Sequence, residues 1–242
     1  MTITSKTTVG EIAKTIPTSV AVFQRHGIDF CCGGNKPLEE ACQEKGVSVD
    51  QIVAEVDKTR QPAGGATERD WNSASLSELI QHILDTHHAY LHSEMPRLEQ
   101  MLAKVIAAHG EKHPESLQPL ARLYAGLTTE LWNHMGKEEN ILFPLIQQME
   151  QARQGGRRAG PMGMSIESPI RVMEMEHESA GSALEQMRQV TDGYQVPADG
   201  CATYRALLEG LERLEADLHV HIHLENNILF PRALELETAL VS

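Results

Sequence analysis

"HMGKEENILFPLI", residues 134–146, is nearly repeated by "HIHLENNILFPRA", residues 221–233. The two stretches begin 87 residues apart and share one frame: His, three variable residues, Glu, one residue, then Asn-Ile-Leu-Phe-Pro. On a helix, residues four apart lie on one face with Cβ atoms about 5–6 Å apart. His134 with Glu138, and His221 with Glu225, therefore each present an imidazole beside a carboxylate. Glu139 is a competing carboxylate in the first copy, but it sits about 140° round the helix from His134 at 3.6 residues per turn. The second copy has Asn226 there. The Ile-Leu-Phe that follows directs both pairs into an apolar interior, where an isolated carboxylate is very costly and a metal ion is the natural compensation.

Working outward, four long helical patterns carry the repeat. They run from about Ser75 to His109, Glu115 to Gln151, Ser168 to Thr191 and Cys201 to Glu237, separated by "HGEKHPES", "QGGRRAGPMG" and "DGYQVPADG". Strand-type alternation is scarce. Four helices with short connections imply an all-α protein built on an antiparallel four-helix bundle. Residues 59–70, "TRQPAGGATERD", lack apolar periodicity and read as a linker. Before it, residues 1–58 hold three or four short helices, with Pro37 opening one and Gly27 and Gly46 closing two. The organisation is thus a small helical N-terminal domain at 1–58, a linker at 59–70 and a bundle at 71–242.

The remaining bundle helices complete the polar set. Aligning His177 in "VMEMEHESAGSALEQM" with His88 in "ILDTHHAYLHSEMPRL" matches Met173, Leu184 and Met187 with Leu84, Met95 and Leu98, all apolar. Aligning with His87 instead places Glu94 and Arg97 at the later two positions, so His88 faces inward. The intervals agree too, 46 residues from His88 to His134 and 44 from His177 to His221. Each half offers one His and one His-x-x-x-Glu. His88, His134, Glu138, His177, His221 and Glu225 together suit a dinuclear site in which each metal takes two imidazoles and the carboxylates bridge. That ligand set favours two iron ions per chain, with room for an oxo or hydroxo bridge; manganese is possible and zinc is the main mis-loading risk.

A bundle site built on Glu-x-x-His fits less well. "EMEH" ends at His177, but the equivalent position before His88 is Asp85, and His134 and His221 are left without a role. His109 follows His88 by 21 residues, about 31 Å of helical rise, and is left out. His82, His87, His92, His113 and His223 are expected to be exposed or to support the ligands from behind. Asp85, Glu174 and Glu176 are candidates for that supporting role.

Composition narrows the function classes. With 21 basic and 34 acidic residues the formal charge is −13, which argues against nucleic acid and an anionic membrane as partners. No apolar run suggests a signal peptide or a span. The expectation is a cytoplasmic chain, and its four cysteines, Cys31, Cys32, Cys42 and Cys201, are then thiols. In "HGIDFCCGGN", residues 26–35, the adjacent Cys31 and Cys32 make a structural disulfide improbable by ring strain, and the two glycines suggest a bend exposing the thiols. Cys31 and Cys32 are candidate reactive thiols for metal hand-off, nitric oxide chemistry or redox exchange. The plain alternative is that they are small buried apolar residues. Cys42 lies close enough in sequence to approach them, and Cys201, at the start of a bundle helix, reads as structural.

With "HGIDFCCGG", "HMGKEENILFP", "MEMEH" and "HIHLENNILFP" in one chain, the sequence resembles the Repair of Iron Centres family of di-iron proteins, over both its cysteine-bearing N-terminal part and its hemerythrin-like bundle. The resemblance implies a cytoplasmic, often homodimeric protein that helps restore iron–sulfur clusters damaged by nitric oxide or oxidants. Iron labile enough to donate and damaged iron–sulfur proteins as transient recipients are also implied. Carried over by position, His88, His134, Glu138, His177, His221 and Glu225 match the family's ligands, and Cys31 and Cys32 its cysteine pair. The loop at 151–160, "QARQGGRRAG", looks longer and more basic than the family pattern. Two other functions stay open: a di-iron enzyme acting on nitric oxide or nitrite, and an oxygen or nitric oxide sensor. A bare carrier has no need of a cysteine segment.

Overall fold

The computed structural model describes residues 1–59, 69–155 and 165–241. Most of the expected linker, residues 60–68, and residues 156–164, which include the end of the basic loop, lie outside the described residues. Among the described residues regular structure is helical, apart from one isolated antiparallel bridge between Thr8 and Pro37.

The N-terminal part comprises α1 (Val9–Thr15), α2 (Ser19–His26), α3 (Leu38–Lys45) and α4 (Val49–Thr59). Thr8 caps α1 by accepting the Glu11 N–H at 3.3 Å. Gly27 and Gly46 end α2 and α3 in the left-handed region, at φ of 63° and 66°, where a Cβ would be strained. Val9, Ile12, Phe23, Phe30, Leu38 and Ile52 form a small core, and that core is closed by Ile222 of the bundle. The N-terminal part therefore packs on the bundle of its own chain. Gln24 donates to the Ala216 carbonyl at 2.8 Å and Asn72 to the Lys14 carbonyl at 2.8 Å.

The bundle has four rods. The first is α5 (Leu76–Ile83) and α6 (Ala89–His109), the second α7 (Pro114–Lys137) and α8 (Phe143–Gln154). The third is α9 (Glu167–Val190), and the fourth is α10 (Ala202–Leu224) and α11 (Phe230–Val241). α7 packs on α9 and α6 on α10. The internal repeat extends to helix capping: Glu150 accepts the Leu76 and Ser77 N–H groups at 2.7 and 3.0 Å. Glu237, at the equivalent place in the second half, accepts the Ile166 N–H at 2.9 Å. Each carboxylate satisfies donors that a helix start leaves unpaired and complements the positive end of the helix dipole.

Two apolar clusters fill the bundle. One gathers Leu98, Leu120, Tyr124, Leu184, Leu207 and Leu211; the other gathers Ile80, Ile83, Phe143, Ile146, Ile170 and Phe230. The buried His and Glu side chains belong to neither cluster.

Candidate metal centre

His88, His134, Glu138, His177, His221 and Glu225 are all buried, with Glu138 and Glu225 at 0% exposure. They form two groups that share both carboxylates: His88, Glu138, His221 and Glu225, and His134, Glu138, His177 and Glu225, with the donor atoms of each group within 4.8 Å of one another. Each group takes one histidine from each half of the repeat. Glu138 aims Oε2 at His88 Nε2 (3.4 Å) and Oε1 at His134 Nε2 (3.3 Å). Glu225 aims Oε1 at His221 Nε2 (3.1 Å) and Oε2 at His177 Nε2 (3.2 Å). Each carboxylate thus offers one oxygen to each group.

The donor set fits a pair of metal ions. Both oxygens of Glu138, Oε2 of Glu225 and Nε2 of His88 are buried without a hydrogen-bond partner among the described residues, a costly state for ionised groups in an apolar interior. Burial and the neighbouring Glu225 would push Glu138 up, yet His134 and His88 hold it below the usual carboxylate range. Burial likewise opposes ionisation of Glu225, but His221 and His177 hold it well below that range. Burial would lower His134, but Glu138 and Glu225 draw it up to about 9. Glu138 overcomes the same burial effect to raise His88, whereas burial prevails at His221 and lowers it. The pocket keeps its carboxylates charged, an excess that bound cations would offset.

Three imidazoles are held from behind. His88 Nδ1 donates to Glu139 at 2.8 Å, His134 Nδ1 to Glu176 at 2.9 Å, and His177 Nδ1 to the Asn226 amide oxygen at 2.8 Å. A proton on Nδ1 leaves the Nε2 lone pair free to ligate. His221 Nδ1 has no such partner among the described residues; its ring lies parallel to His87 at 5.3 Å between centroids. Glu176 is placed as expected for a supporting residue. Asp85 and Glu174 are not: both are exposed, and Asp85 accepts from Gln81 instead. Glu139, discounted for its angle to His134, and Asn226, which stands at its place in the second copy, do that work for histidines on neighbouring rods.

A local change of helix pitch explains much of this. Leu84–His88, Glu138–Leu142 and Glu225–Leu229 are π-helical turns, and each contains a candidate ligand. Phe143 and Phe230 donate backwards over five residues to Glu138 and Glu225. The prolines that follow, Pro144 and Pro231, have no N–H, so they weaken the competing α ladder at this point. The repeated Asn-Ile-Leu-Phe-Pro is therefore a widened turn as well as an apolar face.

The other histidines divide. His92 is exposed and His82 and His113 half-buried, but His87 and His223 are buried. His87 Nδ1 contacts Asp217 at 2.9 Å. His223 is covered by the N-terminal part, with its ring 5.6 Å from that of Phe30. His109 is remote from both groups, in a cluster with His113 and Asp199.

The cysteine segment lies on the bundle beside the candidate ligand His177. Asp29 accepts the N–H groups of Cys31, Cys32 and Gly33 at 3.0, 3.0 and 2.8 Å, which curls the chain. Asn227 then donates to the Phe30 carbonyl at 3.1 Å. Cys32 Sγ contacts the backbone carbonyl of His177 at 3.4 Å, and the two sulfurs lie 3.8 Å apart. Cys31 is buried and Cys32 half-buried. The hydrogen bond with Cys32, burial and nearby Asp29 raise the Cys31 thiol well above its ordinary range. Cys42 packs in the same small core. Cys201 corrects the structural expectation: it is exposed and caps α10 with its backbone alone.

Two family models match the chain: "Domain of Unknown function (DUF542)" over residues 5–60 and "Hemerythrin HHE cation binding domain" over residues 79–233. Among curated proteins, the chain is 39% identical over 226 residues to the "Iron-sulfur cluster repair protein YtfE" of Enterobacter sp. (strain 638), covering 93% of this chain and 96% of that protein. It is 40% identical over 227 residues to the protein of the same name from Escherichia coli O81 (strain ED1a), with the same coverage. Escherichia fergusonii has a relative of that name at 40% identity over 227 residues. The chain belongs to the hemerythrin HHE cation-binding family and, within it, to the Repair of Iron Centres group that pairs this bundle with an N-terminal cysteine domain.

Proposed function

We propose that the bundle holds two iron ions and that the chain repairs damaged iron–sulfur clusters by giving up iron from this site. His88 and His221 would serve one ion, His134 and His177 the other, with Glu138 and Glu225 shared. The observation that carries this is the aim of the two glutamates, each with one oxygen toward each histidine pair. When bound, the iron pair supplies a transferable cation with accessible redox states. Glu139, Glu176 and Asn226 hold three histidines in the ligating tautomer, and the two apolar clusters exclude bulk water.

The cysteine segment suits transfer. Cys31 is buried with its thiol pushed up, whereas Cys32 is half-buried and is the more accessible sulfur, resting on the backbone of a proposed ligand. We assign residues 1–58 as a domain, docked on its own bundle, and 71–242 as the bundle domain. A homodimer and a cytoplasmic location complete the proposal; among the described residues no helix is long and apolar enough to cross a membrane. The relatives' printed name, iron–sulfur cluster repair protein, supports the recipient class.

Incubation of iron-loaded protein with an apo iron–sulfur enzyme tests this. Recovery of the recipient's activity with matching loss of bundle iron is expected; no transfer while the bundle keeps its iron defeats it. A second reading has one observation in its favour: a narrow cavity lined by Leu131, Ala180, Leu218 and Ile222 reaches His134, His177 and His221. A small neutral molecule such as nitric oxide could enter there. Catalytic turnover of nitric oxide or nitrite with iron retained would replace donation by that reading.

A further inference from the structure

The far end of the bundle carries a second constellation of ligand-type side chains. His109 ends α6, His113 precedes α7, and Asp199 lies in the connection before α10. One donor atom from each lies within 4.8 Å of the others. His113 Nε2 contacts Asp199 Oδ1 at 2.9 Å, while Lys112 Nζ lies 3.6 Å from the other carboxylate oxygen. His109 is only 9% exposed, and its Nδ1 has no hydrogen-bond partner among the described residues. Tyr204 packs against both rings, at 5.4 and 6.2 Å between centroids.

An unpartnered nitrogen on a buried histidine costs free energy without return in a purely structural cluster. The turn after α6 brings the two histidines together: the His109 carbonyl accepts the N–H groups of Lys112 and His113, both at 3.0 Å. Two imidazoles and one carboxylate, with water completing a tetrahedron, are a donor set that suits zinc. One face opens to solvent, because Asp199 is exposed and His113 half-buried, so an ion can enter without disturbing the bundle core.

We propose that His109, His113 and Asp199 form a divalent transition-metal site of the zinc class, separate from the bundle centre. The ion would tie the α6–α7 turn of the first half to the connection that opens the last rod. Lys112 is displaced on binding, since it reaches Asp199 from an exposed position. The site does not depend on the donation proposal: His109 lies about 30 Å along the rod from His88 at 1.5 Å rise per residue.

The test is equilibrium dialysis of the full-length, iron-loaded protein against zinc(II), with cobalt(II) as optical probe. Wild type should take up one equivalent of zinc beyond its bundle iron, give the intense visible bands of tetrahedral cobalt, and melt higher with zinc present. His113→Ala and Asp199→Asn should each lose the extra equivalent, the cobalt bands and the thermal shift, while keeping wild-type iron content and helical circular dichroism. His109→Gln repeats the test at the buried position. No extra zinc in wild type overturns the proposal, as does uptake unchanged in both His113→Ala and Asp199→Asn. Zinc gained only by displacement of bundle iron also overturns it.

Discussion

The Nε2 atoms of His134 and His177 face each other at 3.0 Å across the interior, one from α7 and one from α9. Both rings donate from Nδ1, to Glu176 and to Asn226. In the neutral state two lone pairs would then oppose each other, and only a proton or a cation between them removes the conflict. A metal ion there would remove it and offset the charge of Glu138 and Glu225 as well.

Metal removal should therefore cost stability. Iron stripped by a reducing chelator is expected to lower the melting temperature on the order of 10 °C, given roughly 2–4 °C per kcal/mol for a chain of this size and a loss of several kcal/mol. Differential scanning calorimetry of loaded and stripped protein checks this. Coincident melting curves would mean that the two glutamates need no ion.

Because both glutamates serve both groups, Glu138→Gln or Glu225→Gln should deplete both metal positions, leaving well under half of the wild-type iron. His221→Ala touches one group only and should leave about half, as the other group keeps its two histidines and both carboxylates. Elemental analysis distinguishes the patterns. Equal iron in the histidine and glutamate variants would refute the shared arrangement.

Glu139→Ala and Glu176→Ala remove no proposed ligand but free the back of His88 and His134. Loss of such partners weakens metal binding by about 10–100-fold. Competition against a chromophoric chelator should show that loss in both variants with helical content intact. Glu174→Ala, at an exposed position, is the matched control and should bind as wild type.

How far the sequence revealed this site depends on helix pitch. The duplicated His-x-x-x-Glu was legible because α spacing holds within each pair. Each glutamate opens a π turn, yet it still donates its N–H to the carbonyl of the histidine four residues before it. Glu139 and Asn226 follow the glutamates, inside turns of π pitch, so an angle taken at 3.6 residues per turn gave no hint of their partners on other rods. Pro144 and Pro231, placed identically after the repeat, were the available signal. Burial of His223 was hidden for a different reason: its cover is Phe30, a residue far away in sequence. The bundle itself was plain from the length of the apolar patterns and the breaks between them.

Docking of the cysteine segment turns on close backbone approach. A Cβ on Gly10 would lie 2.7 Å from Asn227 Oδ1 and 2.9 Å from the Gly34 carbonyl, and one on Gly34 would lie 2.8 Å from Asn227 Oδ1. Gly10→Ala should push the segment off the π turn between α10 and α11 and expose Cys31. In wild type a thiol reagent should label Cys32 before Cys31; in Gly10→Ala the rate at Cys31 should rise at least several-fold, with bundle iron unchanged. Mass-spectrometric mapping of the labelled cysteines measures both. An unchanged Cys31 rate would show that Asn227 yields to the methyl group.

Acid sensitivity at the start of the first rod follows from its cap. Glu78 accepts the Ser75 N–H at 3.1 Å and the Ser75 hydroxyl at 2.9 Å, and it pairs with Arg69. The Ser75 N–H first, and then Arg69, hold its carboxyl down to about 2. The folded value is lower than the unfolded one, so the unfolded chain binds the proton more readily. The contribution to stability is therefore full above the ordinary value of 4.5 and is lost as pH falls toward about 2. Glu78→Gln keeps an acceptor for the cap but cannot titrate. Wild type should melt higher than the variant near neutral pH, and the gap should close through the acid range and shrink in high salt, since both partners are half-exposed. Thermal melts of the two proteins across that range decide it: a gap independent of pH would assign the effect of Glu78 to shape and leave its charge without a part.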